Sequence, residues 1–144
     1  VIFNHRDPVE TVPSAASMNF AMWALYGDPS EASIAAAQWQ ERLAWGTNRA
    51  MEARKRYDAN RFADIWFKDV MRDPIAEVER VYGIFGIEMT AAARAAMQAW
   101  RDRNPREKRP PHEYELSEYG LTREGICAAF AEYRKQFIES RKAD

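Results

Sequence analysis

Apolar positions recur along this chain at two different periods. Val1-Ile2-Phe3-Asn4 and Phe62-Ala63-Asp64-Ile65-Trp66-Phe67 are short apolar and aromatic runs, which predict strands over about residues 1–5 and 62–67. Between and after them, apolar residues return every three or four positions, which predicts helices. The longest stripe is Ala35, Trp39, Leu43, Gly46 and Ala50, in a helix expected to begin at Ser30. Its tail, residues 49–61, is rich in charge and alanine and reads as a solvated end.

Local punctuation sets the other boundaries. Pro8 suits the first turn of a helix, where its missing N–H costs nothing. Pro13 conflicts with a helix interior, so the helix is expected to kink there or to restart at Pro13, and then to run to about Trp23. Tyr26-Gly27-Asp28-Pro29 reads as a loop. Asp73-Pro74 supplies an N-cap and an N1 proline for a helix burying Ile75, Val78, Val81, Tyr82 and Phe85. Gly86 is its expected left-handed terminus, with Ile87 folding back. Thr90 caps a fourth helix with Ala93, Met97 and Trp100 inward, ending before Asn104-Pro105. Residues 105–120 read as a long loop, and Thr122 caps a last helix with Ile126, Phe130, Tyr133 and Phe137 on one side. The whole predicts an α/β chain, helix-dominated, with about two short parallel strands and five helices. Two strands alone make a poor sheet, so partner strands are expected outside this chain.

At 144 residues and 16.7 kDa, a single domain over 1–144 is expected. A net charge of −1 argues against a broad nucleic-acid-binding face. One cysteine, Cys127, and two histidines far apart exclude a disulfide framework and a zinc set, so no metal is expected. No apolar run approaches the roughly 20 residues needed to cross a bilayer, and the apolar start is too short for a signal peptide, so a cytoplasmic location is expected. The chain starts directly on an apolar strand at Val1, which suggests upstream sequence.

The candidate chemistry lies in His5-Arg6-Asp7-Pro8 and Ser14. A strand ending in arginine and feeding a helix sets a cation beside a helix N-terminus, where free N–H groups and the positive dipole end favour an anion. The guanidinium fork suits phosphate, and a serine one or two turns on adds a hydroxyl donor. The competing reading makes Arg6 a structural ion pair and Ser14 a cap. His5 reads as a packed strand-end residue. Met18, Phe20, Met22, Trp23 and Tyr26 could line an acceptor pocket, but their helical spacing reads better as core. His-Arg-Asp also opens the protein-kinase catalytic loop, but that loop needs asparagine five residues after its aspartate, and position 12 is Val12.

The order of these features resembles the C-terminal part of the sulfotransferase family, in its bacterial form. The match rests on Arg6 with Ser14, then on residues 61–70 with Asp73-Pro74 and Val81-Tyr82-Gly83-Ile84-Phe85-Gly86. It continues through His112-Glu113-Tyr114, Tyr119-Gly120-Leu121-Thr122, Phe130 and Tyr133. The resemblance implies a P-loop-kinase-like fold and a donor substrate, 3'-phosphoadenosine 5'-phosphosulfate. It makes Arg6 and Ser14 the holders of the donor's 3'-phosphate. Lys108 and Arg109, in the long loop, correspond to a late basic loop that closes over that phosphate in the family, although a solvated basic turn fits the loose pattern better.

The resemblance also implies transfer of a sulfuryl group to a hydroxyl or amine on a small-molecule or peptide acceptor. The loop that grips the 5'-phosphosulfate and the catalytic base lie upstream of the Arg–Ser pair in the family. No catalytic residue is therefore assigned here, and the chain alone is expected to bind nucleotide weakly and catalyse little. A homo-oligomer is left open. The competing function is a non-catalytic helical protein-interaction module, docking through exposed aromatic surface.

Overall fold

The computed structural model describes residues 1–27, 32–105 and 115–142. They fall into two compact units, one comprising Val1–His5 with Asp58–Pro111, the other Arg6–Tyr57 with His112–Asp144.

The first unit holds the two strands, β1 (Ile2–His5) and β2 (Ala63–Trp66), paired in parallel with Ile2 opposite Ala63 and His5 opposite Trp66. The pairing is extended at its start by Ala63, whose N–H donates to the Val1 carbonyl at 2.9 Å. His5 is 1% exposed. Its Nε2 lies 2.9 Å from Asp64 Oδ1, and its ring packs between Phe3 and Trp66, with centroids 6.1 and 5.2 Å away. A buried imidazole needs such a polar partner, and this one fixes His5 as part of the strand packing.

Phe67, expected to end the second strand, instead opens α3 (Phe67–Arg72). Asp73 closes α3 and caps α4 (Pro74–Ile84), its carboxylate accepting from the Ala76 N–H at 3.1 Å. Gly86, at φ 68°, ends α4: its N–H donates to Gly83 and the Ile87 N–H to Tyr82, at 3.2 and 2.8 Å. That is the double bond pattern of a left-handed glycine terminus, as the sequence predicts. Thr90 caps α5 (Ala91–Arg103) through the Ala93 N–H. Trp100, expected inward, is 60% exposed, and α5 buries no residue fully.

The second unit is built on α1 (Pro8–Tyr26) and α2 (Ala32–Arg54). Helix α1 is continuous through Pro13, so neither the expected restart nor a new first turn at Ser14 occurs. Pro13 lies in the second turn, where its missing N–H leaves the bond to a single carbonyl, that of Val9, unmade, and its ring is buried. Val9, Val12 and Ala16 of α1 pack with Ala36 and Ala44 of α2 and with Leu121, Ile126 and Phe130. The predicted last helix is divided at Phe130 into α6 (Arg123–Ala129), capped by Thr122, and α7 (Ala131–Arg134), followed by a wider π turn over Lys135–Glu139. Seven α-helices thus stand among the described residues where five were expected.

The expected packing of the methionine and aromatic cluster on α1 is corrected as well. Met18, Met22 and Tyr26 are 63%, 45% and 84% exposed. Helical spacing marks a shared face, and here the buried face is the neighbouring one, carried by the small residues Val12 and Ala16. No helix among the described residues is long and apolar enough to cross a membrane.

Candidate functional site

The strand–helix corner that the sequence singled out begins with Asp7. Its backbone is extended (φ −60°, ψ 125°), the conformation an N-cap requires, and Pro8 then starts α1. The Asp7 carboxylate accepts from the Val9 N–H at 3.1 Å, while its carbonyl accepts from the N–H groups of Glu10 and Thr11 at 2.9 and 3.2 Å. Pro8 has no N–H. The first-turn donors of α1 are therefore satisfied from within, a departure from the expectation that they stand free for an anion. What remains for a ligand at this corner is side-chain chemistry and the dipole, the latter already offset by Asp7 and Glu10.

Arg6 is an exposed residue whose side chain is 39% accessible, and its Nε donates to Glu10 Oε2 at 2.9 Å. Ser14 is half-buried in α1, four residues beyond Glu10 and on the same helix face. Arg6, Glu10 and Ser14 therefore follow one another at intervals of four along one side of the corner. Glu10 was not singled out from the sequence, although its spacing from Arg6 is the signal of an ion pair. Lys108 and Arg109, together with His112, lie outside the described residues.

A second arginine completes the corner, and no local signal in the sequence points to it. Arg134, at the end of α7, donates from Nε to Asp7 Oδ1 at 3.2 Å and from a terminal nitrogen to Asp7 Oδ2 at 3.4 Å. Its other terminal nitrogen lies 2.8 Å from Cys127 Sγ and 3.3 Å from Glu139 Oε1. The Arg134 and Asp7 side chains are 13% and 16% exposed, so this two-point grip is shielded from water. The hydrogen bond that Arg134 donates to Asp7 raises the arginine's pKa above its usual value, and the guanidinium stays charged. Cys127 is half-buried and serves as an acceptor in this cluster.

A shallow cavity of about 440 Å³ in the first unit, lined by Asp73, Ile75, Ala91, Arg94, Gln98 and Arg101 among others, contains none of the predicted site residues. Arg94 is already paired with Glu79, whose hydrogen bond raises the arginine's pKa.

A parallel strand pair, a strand that turns through an arginine into a proline-started helix, and a helix-dominated remainder make a helix-rich α/β chain. The chain belongs to the sulfotransferase family, whose family model matches residues 1–91. Its structure is similar to that of sulfotransferase STF9 from Mycobacterium avium, with a TM-score of 0.84 and 27% identity over 95% of this chain and 36% of that one. It is also similar to sulfotransferase STF1 from Mycobacterium tuberculosis H37Rv, with a TM-score of 0.74 and 28% identity over 92% of this chain and 33% of that one. The chain thus spans about a third of the length of the solved structures it matches. No curated protein sequence matches it.

Proposed function

We propose that this chain supplies the part of a sulfotransferase that holds the 3'-phosphate of 3'-phosphoadenosine 5'-phosphosulfate. Arg6 is the principal cation and Ser14 a hydroxyl donor. The observation that carries the reading is Arg6 beside Glu10, with Ser14 one turn further along the same face of α1, on a stretch that the family model covers. The phosphate would exchange places with the Glu10 carboxylate on the guanidinium, since both are oxyanions that accept its N–H groups.

In the proposed reaction an acceptor oxygen or nitrogen forms a bond to the donor's sulfur. The bond from sulfur to the 5'-phosphate oxygen breaks, and adenosine 3',5'-bisphosphate leaves. The acceptor's proton passes to a base that no residue of this chain is assigned to supply. Positioning and neutralisation of developing charge carry such transfers, so this chain by itself is proposed to bind the nucleotide and turn over little. The acceptor, a cytoplasmic location and any homo-oligomer belong to the same proposal.

Adenosine 3',5'-bisphosphate tests it. The wild-type chain is expected to melt at a higher temperature with the ligand, and Arg6→Ala to lose that shift while keeping its own melting temperature. A folded wild-type chain with no shift at millimolar ligand would favour the second reading, a helical interaction module. That reading draws on the exposed Met18, Met22, Leu25 and Tyr26 of α1.

A further inference from the structure

We infer that Arg134 is a positioning residue for the proposed phosphate site, acting on Arg6 through Asp7. The inference rests on the donor-site reading and adds to it a residue that neither the family motif nor sequence spacing points to.

Both oxygens of the Asp7 carboxylate are engaged. One oxygen, Oδ1, does two tasks, accepting the Val9 N–H at 3.1 Å and Arg134 Nε at 3.2 Å. The other, Oδ2, faces a terminal nitrogen of the same guanidinium at 3.4 Å. The side chain that starts α1 is thereby gripped at two points by a residue 127 positions later in the chain. Arg6 is the residue directly before Asp7. Holding the Asp7 side chain at two points restricts the backbone it hangs from, and with it the point from which the Arg6 side chain leaves the corner. A cap hydrogen bond alone leaves the Asp7 carboxylate free to turn, whereas a fork bonded to both oxygens fixes the plane of that carboxylate.

Charge points the same way. Asp7 and Glu10 bring two carboxylates to a helix end proposed to receive a dianion. Arg134 offsets the first of these at close range and in a shielded setting. Glu139, also near Arg134, is 53% exposed, so water screens it. Arg134 itself is 13% exposed and fully engaged with Asp7, Cys127 and Glu139, which makes it a holder of the corner and not a contact for the ligand.

The test is a double-mutant cycle on ligand affinity in the full chain, with adenosine 3',5'-bisphosphate as the probe in titration calorimetry. Asp7→Asn keeps an N-cap acceptor but removes the charged grip. Arg134→Ala is expected to weaken binding roughly three- to tenfold in the wild-type background and less than about twofold in the Asp7→Asn background. Arg134→Lys, which keeps the charge but not the fork, is expected to fall between and serves the same cycle if the alanine variant does not fold. Hydrogen exchange at the Val9 N–H is expected to quicken in Arg134→Ala without any ligand, which reads the grip independently.

Equal affinity in wild type and Arg134→Ala would overturn the positioning role alone. So would an equal loss in both backgrounds, since Arg134 would then act by charge at a distance and not through Asp7. A wild-type chain that binds no bisphosphate overturns the donor-site reading, and the positioning role falls with it.

Discussion

Arg6 Nε donates to Glu10 Oε2 at 2.9 Å, so the cation proposed to meet phosphate is held in this structure by a carboxylate one helical turn away. The pair is exposed, with side chains 39% and 45% accessible, and water screens it. Glu10→Gln is therefore expected to change unfolding stability by less than about 0.5 kcal/mol. The same substitution removes the anion that competes with phosphate and is expected to tighten binding of adenosine 3',5'-bisphosphate about threefold. Chemical denaturation and titration calorimetry check the two halves separately. Unchanged or weaker binding would show that Glu10 does not compete at the site.

Asp7 carries more of the fold than Arg6 does. Asp7→Ala removes the cap on α1 and takes from the shielded guanidinium of Arg134 its two-point carboxylate partner, with an expected cost of about 2–4 kcal/mol. Asp7→Asn keeps the cap and is expected to cost about half of that. Urea unfolding of the two variants separates the cap from the ion pair. An Asp7→Asn variant as stable as wild type would mean that the Arg134 grip adds nothing to stability, and equal costs of the two variants that the cap adds nothing.

Burial distinguishes two large apolar side chains that helical periodicity treats alike. Ile126 is fully buried against the α1–α2 core, and Ile126→Ala is expected to cost about 3 kcal/mol. Trp100 is 60% exposed, and Trp100→Ala is expected to cost well under 1 kcal/mol. Denaturant midpoints of the two variants test the assignment.

Two glycines have positive φ but different surroundings. A Cβ at Gly120, at φ 61°, would stand 3.2 Å from Ser33 Cβ. At Gly86, at φ 68°, it would meet open space. Gly86→Ala is expected to cost about 1 kcal/mol for the backbone conformation alone, and Gly120→Ala distinctly more. A reversed order of the two thermal midpoints would contradict the packing described at Gly120.

Much of the fold is legible in the sequence because it depends on chemistry within a few residues. Asp73-Pro74, Thr90, Gly86 and Thr122 act on neighbouring N–H and C=O groups, and each ends or starts a helix where expected. Pro13 misleads because it lies only a turn and a half into α1, where losing one hydrogen bond does not break the helix. The exposed face of α1 misleads for another reason: periodicity reveals that Met18 and Met22 share a side, not which side is covered. At the candidate site, Arg6 and Ser14 are legible as residue types at a spacing, and Glu10 could have been found from its distance of four from Arg6. The saturation of the α1 N-terminus by Asp7 and the grip of Arg134 depend on tertiary contacts, and a span of 127 residues leaves no trace in local pattern.

The central claim is that Arg6 recognises a 3'-phosphate. Its most direct test compares the dissociation constants of adenosine 3',5'-bisphosphate and adenosine 5'-monophosphate on the wild-type chain and on Arg6→Ala. Wild type is expected to prefer the bisphosphate by about a hundredfold, and Arg6→Ala to reduce that preference at least tenfold, as the loss of charge-assisted hydrogen bonds requires. Equal affinity of the wild-type chain for both nucleotides, or a preference undiminished in Arg6→Ala, would contradict it.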